Sequence, residues 1–479
     1  MDRANRVLLT VTLGTLMSAV DSTVVLLALP TISTDLHAGL ILAIWTLLIY
    51  LMVVAIFTTQ LGSVGDSFGH GRIFTIGFAV FTIGSFFCGA SDTIYLLIGF
   101  RAIQAFGAAL MQANGNALVA DAFAAERRGK AFGYTTLGWN VGGTLGIVLG
   151  GVLTTFLGWQ YIFYINVPIG IFAIWLGYGT FMGTRRKGKF PDVTGLILMG
   201  GSLFLAAYGA TQLVSTGSNL QNYGMIAAGL ILFPIFILLE RGKENPVMDP
   251  QVFRSKKLII PLLASFFQAV GYLSVIFLLI LYLQGIRGLS PFYASLLLVP
   301  GYVLSSMFAP KMGGLSDKFG SRIMATTGIA FLATAVFLYT MLTPTTPYYY
   351  IVIVSLISGV GGSMFWPSNN RSVMSASGVK SYGSVSGVLR TLSNIGTLTS
   401  YVLVISVAAT ALTRGEVFAV FLGKESLIGG ISTGFLRGLR DALYVSLSML
   451  IVAFILSAFR SSGIENKTSM ETVQTKTGS

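Results

Sequence analysis

The sequence predicts an all-α polytopic membrane protein, two six-helix bundles with two extra linker helices and about 14 transmembrane helices in total. Three observations carry that expectation. Apolar residues make up 54% of the 479-residue chain and charged residues only 10%, at a mean hydropathy of +0.79, whereas soluble domains are roughly a quarter charged. Runs long enough to cross a hydrocarbon core about 30 Å thick, each about 20 residues, fill nearly the whole sequence. One short pattern is written twice, GSVGDSFG at Gly62–Gly69 and GGLSDKFG at Gly313–Gly320, each between two apolar runs and each followed closely by an arginine, Arg72 or Arg322.

The spans are expected to start near Val7, Gly39, Ile73, Thr93, Ala131 and Gln160, then Val193 and Tyr223, then Leu258, Pro291, Arg322, Pro347, Gly383 and Ala442. The first runs from Val7 to about Pro30 without the small-residue cleavage site of a secretory leader, so it reads as a span. Six spans precede the basic run TRRKGK at Thr184–Lys189, and six follow the polar stretch Glu240–Lys257. The expected division is therefore 1–183, an N-terminal six-helix bundle; 184–257, a linker with two transmembrane helices; 258–461, a C-terminal six-helix bundle; and 462–479, a polar, disordered tail. In this plan both copies of the repeat fall between the second and third spans of their bundle. Such matched copies indicate duplication.

The formal charge of +13 raises the possibility of nucleic acid, but the basic residues form no single patch. They recur at every second loop, at Arg3 and Arg6, Arg72, Arg127–Lys130, Arg185–Lys189, Arg241–Lys257, Lys311–Arg322, Arg371 and Lys380. The positive-inside rule then places both termini in the cytoplasm of a cell (plasma) membrane protein, with no nucleic-acid partner. The lone Cys88 has no internal partner. No GxxxxGK[ST] loop, catalytic triad or metal-ligand spacing occurs, so neither ATP hydrolysis, another enzymatic activity, a metal nor a cofactor is expected. His37 and His70 are assigned to loops.

Several motifs resemble those of the major facilitator superfamily, in particular its fourteen-span drug and proton antiporter branch, over roughly residues 7–460. DSTVVLLALPTI at Asp21–Ile32 resembles the first-span motif of that branch, and GSVGDSFGHGR resembles the superfamily's loop motif. LIGFRAIQAFGAAL, with Arg101, Gln104 and Gly107, resembles the fourth-span motif; GGTLGIVLGG followed by GWQYIFYINVPIG resembles the fifth-span antiporter motif and its sequel. The chain departs from the pattern at Leu26, where Asn is common, at Ser67, His70 and Gly71, where basic residues are common, and at Ile147, where the antiporter motif carries Pro.

Asp21 is the one carboxylate well inside a span, and a buried ionisable group in a membrane marks function by default. Counting at 1.5 Å per residue puts Asp21 about 9 Å and Arg101 about 12 Å below the outer surface. In the resembling family spans one and four line the central cavity, so Asp21 and Arg101 are expected to share a proton-coupling network, with a cationic substrate displacing the proton. Ser18 and Gln104 are expected to line the cavity from the first half, and Gln268, Tyr272, Ser363, Trp366, Asn369 and Asn370 from the second. Aromatic faces beside amides suit flat hydrophobic cations.

The repeat is read as a conformational latch built from Gly62, Asp66, Gly69 and Arg72 and from Gly313, Asp317, Gly320 and Arg322. Its carboxylates suit the positive N-terminal end of a neighbouring helix. The resemblance implies the start of the span near Gly383 for Asp66, and by pseudo-symmetry Gly129–Ala131 for Asp317. Gly142, Gly146, Gly150 and Gly151, with Gly138 a turn earlier, bare a stripe of backbone expected to pack as a seam against the other bundle. Arg390, shallow in its span, is read as snorkelling or bonding across that seam. The functional expectation is a monomeric secondary transporter, exporting small amphipathic or cationic compounds against protons by alternating access. A facilitator or symporter of a metabolite, which Ile147 favours, and a non-transporting sensor or scaffold are the alternatives.

Overall fold

A computed structural model describes residues 2–123, 125–177, 192–216, 219–241, 243, 246–247, 255–377, 382–410 and 435–460. Helices account for the secondary structure throughout, and no strand occurs among these residues. Hydrocarbon offers no water to pair backbone N–H and C=O groups, so each segment must satisfy its own, and the helix does so.

The first group of helices comprises α1 (Arg3–Asp35), α2 (Leu40–Phe68), α3 (His70–Gly89), α4 (Ile94–Ala122), α5 (Ala125–Phe156), α6 (Tyr161–Tyr164) and α7 (Asn166–Gly177). Two helices follow, α8 (Val193–Ser215) and α9 (Leu220–Glu240). The second group is α10 (Lys256–Tyr272), α11 (Val275–Ile280) with a π-helical turn Leu281–Ile286, α12 (Pro291–Phe319), α13 (Ser321–Thr340), α14 (Tyr348–Ser377), α15 (Tyr382–Thr410) and α16 (Phe435–Ala458). Thirteen stretches among the described residues are long and apolar enough to cross a membrane, and α6–α7 adds a shorter, broken one.

The repeat, expected as a loop, is helical almost to its end. Gly62–Phe68 forms the last turns of α2, and only Gly69, at φ 94°, turns the chain into α3. The second copy does the same at Gly320, φ 87°, between α12 and α13. Only glycine tolerates that left-handed backbone without strain, which is why the pattern ends on it twice. His70 accordingly opens α3, and it sits 2.9 Å from Asn114 Oδ1 of α4. The side chains of Asp66 and Asp317 lie outside the described residues.

Within the first group α1 packs on α5, and α4 packs on both α2 and α3. In the second, α14 packs on α12 and α13, while α10 packs on α15 and α16. The groups meet along α5 with α12 and α2 with α15, and α8 lies against both α2 and α15. Where the ninth span breaks between α10 and α11, Ser400 repairs the backbone: its Oγ donates to the Val270 carbonyl at 2.5 Å and accepts the Ser274 N–H at 3.2 Å.

The glycine stripe is a close-packed seam, but its partner is α1 of the same group, not the other bundle. A Cβ on Gly142 would lie 2.6 Å from the Leu16 carbonyl, on Gly146 2.7 Å from that of Val20, and on Gly150 2.7 Å from that of Val24. One glycine every fourth residue makes a straight groove, and α1 runs its backbone along it. Gly151, rotated off that stripe, faces α12 at Ser295 and Pro291. The last helix starts at Phe435, earlier than the expected Ala442, because Phe435, Leu436 and Leu439 are buried and Arg440 donates to the Leu342 carbonyl at 2.9 Å.

Gly146→Ala should lower the thermal unfolding midpoint of detergent-purified protein, with a loss of about 1–3 kcal/mol from overpacking. Gly99→Ala, where a Cβ meets nothing within 4 Å, should be neutral or mildly stabilising, since Ala is the better helix former. Equal midpoints for the two variants would contradict the seam.

Candidate functional site

One polar network joins most helices of the first group. Arg101 of α4 donates through Nη1 to Asp21 Oδ2 at 2.6 Å and to Gln104 Oε1 at 2.7 Å, and through Nε to the Thr46 carbonyl at 3.1 Å. Gln104 Nε2 donates to Asp21 Oδ1 at 2.8 Å and to Ser85 Oγ of α3 at 2.7 Å. Asn166, at the start of α7, brings Nδ2 to 3.5 Å from Asp21 Oδ1. Gly84 allows the approach, because a Cβ there would lie 2.7 Å from the Gln104 backbone. Asp21, Arg101 and Gln104 have no exposed surface. Every contact to Asp21 is a donor, so this arrangement fits the ionised carboxylate. The guanidinium also stacks on Tyr50, 4.3 Å from the ring centre, with Phe163 at 5.6 Å, and its Nη2 has no hydrogen-bond partner.

Beside the network runs a central cavity of about 2210 Å³, lined by both groups of helices. Its wall reaches Gln60 and Gly62 at the end of α2, Asp121 at the end of α4 and Gly313 near the end of α12. It therefore opens on the side of the two repeated turns. At the opposite end the groups are joined: Gln284 Nε2 donates to the Leu27 carbonyl at 3.0 Å, the Phe292 N–H donates to Thr155 Oγ1 at 3.0 Å, and Phe156 meets Phe292 edge-on at 5.5 Å. Arg101 and Tyr50 belong to the cavity wall; Asp21 and Gln104 lie behind it.

Of the residues expected to line the cavity, Ser18, Gln268, Tyr272, Trp366 and Asn370 do. Gln104 serves the ion pair instead. Ser363 turns its Oγ back to the Val360 carbonyl at 2.7 Å, and Asn369 accepts from Arg460 Nη2 at 2.7 Å in a buried contact beside the end of α16. Of the two expectations for Arg390, the contact across the halves is the one seen. Arg390 lines the cavity with its guanidinium 4.4 Å from the centre of the Trp139 ring on α5.

Tyr50, Thr46, Ser85 and Asn166 were not foreseen. Ser85 with Gly84 was the legible hint, a small polar pair at mid-span. Tyr50 and Thr46 sit in an apolar run that gives no hint of an arginine beside it.

At the cavity mouth, Lys243 Nζ bonds Glu240 Oε1 at 3.1 Å and also Asp192, whose backbone N–H donates to Gln60 Oε1 at 3.1 Å. Partial burial pushes the Asp192 carboxyl up, but hydrogen bonds with Lys243, the Gly195 backbone and Glu240, together with the Lys243 charge, hold it below the usual carboxylate range. The start of α8 and the end of α9 are thereby tied to α2.

Residues 11–401 match the family model of the Major Facilitator Superfamily. Over 456 residues the chain is 28% identical to the riboflavin transporter RibZ of Clostridioides difficile (strain 630), covering 95% of this chain and 96% of that one. It is 32% identical over 316 residues to the tetracenomycin C resistance and export protein of Streptomyces glaucescens, covering 65% and 59%. The fold matches that of a bacterial homologue of the human lysosomal transporter Spinster, in an inward-facing and unoccupied conformation, with a TM-score of 0.65 at 19% identity over 97% of this chain and 99% of that one. These matches are to transporters, not enzymes. The chain belongs to the major facilitator superfamily and is a multi-pass membrane transporter of small molecules.

Proposed function

We propose that this transporter is a proton-coupled exporter, acting as a monomer in the plasma membrane with both termini in the cytoplasm, and moving small amphipathic compounds outward by alternating access. The observation that carries the reading is the Asp21–Arg101–Gln104 network set behind the wall of a cavity open at one end. Protonation of Asp21 removes the charge that holds Arg101, and the guanidinium, which already forms part of the wall, is then free to respond to cavity contents. A buried pair is a weak source of stability by itself, which favours a switching role over a static one. Export agrees with the named activity of the tetracenomycin C relative. A second reading, uptake of a metabolite, draws on Ile147 in place of the antiporter proline and on the riboflavin transporter relative.

The repeated turns supply the latch. Asp66 and Asp317 fall in the last turn of α2 and of α12, at the negative end of their own helix dipoles, where a carboxylate gains from a positive partner elsewhere. Thr59 of α2 packs 3.4 Å from the Cβ position of Gly387 on α15. Stepping about 10 Å along α2 to Asp66 and about 8 Å back along α15 reaches the N-terminus of α15 at a similar height. Closure of the cavity mouth would bring that carboxylate onto that helix end.

In proteoliposomes, Asp21→Asn should lose accumulation driven by a pH gradient, by more than about tenfold, while substrate counterflow persists. Its thermal stability should also fall, because Arg101 loses its counter-charge. Undiminished gradient-driven accumulation would rule out Asp21 as the coupling site, and gradient-insensitive flux in the parent protein would favour the facilitator.

Asp66→Ala should raise the share of molecules open on the terminus side by about twofold to thirtyfold, the range of one helix-end charge contact. Distances between spin labels on α2 and α15 would read that ratio, and an unchanged ratio with unchanged transport would end the latch reading.

A further inference from the structure

Arg390 is a cation in the cavity wall, and no carboxylate among the described residues is paired with it. Arg101 pairs with Asp21, and Lys243 pairs with Asp192 and Glu240. Among the described residues lining the cavity, the other acidic, basic and imidazole side chains, His70, Asp121 and Arg241, stand with Glu240 and Lys243 at helix ends near the mouth, and the remaining titratable groups are the tyrosines Tyr50, Tyr272, Tyr302, Tyr339 and Tyr401. Deeper in the cavity Arg101 is neutralised from behind by Asp21, so Arg390, between the ion pair and the mouth, is the charge on the described wall without a carboxylate partner. Trp139 follows Gly138, which packs on Thr12, whereas Gly146 packs on Val20, next to Asp21. Arg390 therefore sits about 10 Å nearer the mouth than the ion pair. A cationic substrate would meet this guanidinium without an opposing carboxylate on the wall at that depth.

The groups around Arg390 complete a binding surface. Trp139 presents a partly exposed indole ring from the other half of the molecule. Asn394, one turn further along α15, shares the Arg390 face, and its Nδ2 has no hydrogen-bond partner. On α10, Gln268 is fully buried as a residue, lines the cavity, and has neither side-chain atom bonded. The register of the two helices, Ser265 beside Ser393 and Val270 beside Ser400, sets Gln268 level with Gly396–Leu398, about one turn beyond Asn394 on the side away from Arg390. Buried amides are normally satisfied, so an unpartnered pair of them against a cavity marks where a ligand's polar edge belongs.

We infer that Arg390, Trp139, Asn394 and Gln268 form a subsite for aromatic organic anions: the acidic group on Arg390, the ring against Trp139, and hydrogen-bonding edges on the two amides. This rests on the transporter reading and narrows its substrates from amphipathic compounds to those with an acidic group. A guanidinium suits carboxylates and sulfonates because its parallel N–H groups bind two oxygens at once. Trp139 and Arg390 come from opposite halves and already touch, so a ligand that contacts both bridges the two bodies that must move.

The test is equilibrium binding to detergent-purified full-length protein, using 1-naphthalenesulfonate, neutral 1-naphthalenemethanol and 1-naphthyltrimethylammonium. The parent protein should bind the sulfonate at least about tenfold tighter than the cation. Arg390→Gln should remove that preference and leave the neutral compound within about twofold, while Arg390→Lys should restore part of it. Tighter binding of the cation, or an equal loss of all three in Arg390→Gln, would overturn the subsite. So would the absence of saturable sulfonate binding to the parent protein, a result that needs no variant to fold. Asp21→Asn should keep the sulfonate preference, so a failure of proton coupling and a failure of the subsite show in different measurements.

Discussion

The first half of the molecule is organised around one buried ion pair. Neither Asp21 nor Arg101 has any exposed surface, and each additional polar group nearby is there to complete their hydrogen bonds. Thr46, Ser85, Gln104 and Asn166 bring α2, α3, α4 and α7 to the same point on α1. Two charges removed from water are tolerated only when their geometry and remaining hydrogen bonds are well satisfied. That requirement fixes the rotation of several helices at once, and a change in the charge of Asp21 is felt by all of them.

The second half is held differently. Its helices approach through small residues and hydroxyls: Ser400 stitches the break after α10, and a Cβ on Gly328 or Gly361 would lie 2.7 Å from backbone atoms of the facing helix. Close backbone contact of this kind makes a stiff body, and the buried arginine of this half, Arg460, bonds the neutral Asn369 instead of a carboxylate. The two halves share a fold and a pair of glycine turns but not a chemistry. Their joints, α5 on α12 and α2 on α15, run along the flanks of the cavity, and α8 spans both α2 and α15. Helix α8 thus rides on the joint, with α9 packed on α8.

The position of the charges in the cavity shapes what it can hold. Asp21 stands behind Arg101 and Tyr50, while Arg390 faces the open space. The carboxylates on the described wall, Asp121 and Glu240, stand at helix ends near the mouth. The sequence shows both a deep carboxylate and two arginines in spans, and their orientation about the helix axes is what the anion subsite inferred above rests on.

Span number, approximate span starts, the equivalence of the two repeats and the pairing of Asp21 with Arg101 were all legible in the sequence. Hydrophobic run length is a one-dimensional property, and helix rise converts residue number into depth. Depth is also why the Asp21 partner was found, since two polar groups at one height in a membrane have few alternatives. Rotation about the helix axis is not encoded locally. It decided that the Gly142–Gly150 stripe faces α1, that Gln104 and Asn369 turn away from the cavity to hold Arg101 and Arg460, and that Arg390 turns into it. The sequence by itself determined which residues share a depth, because the bilayer imposes a linear scale on the chain. Only the tertiary structure decided which of them share a face, because that depends on how every neighbouring helix packs.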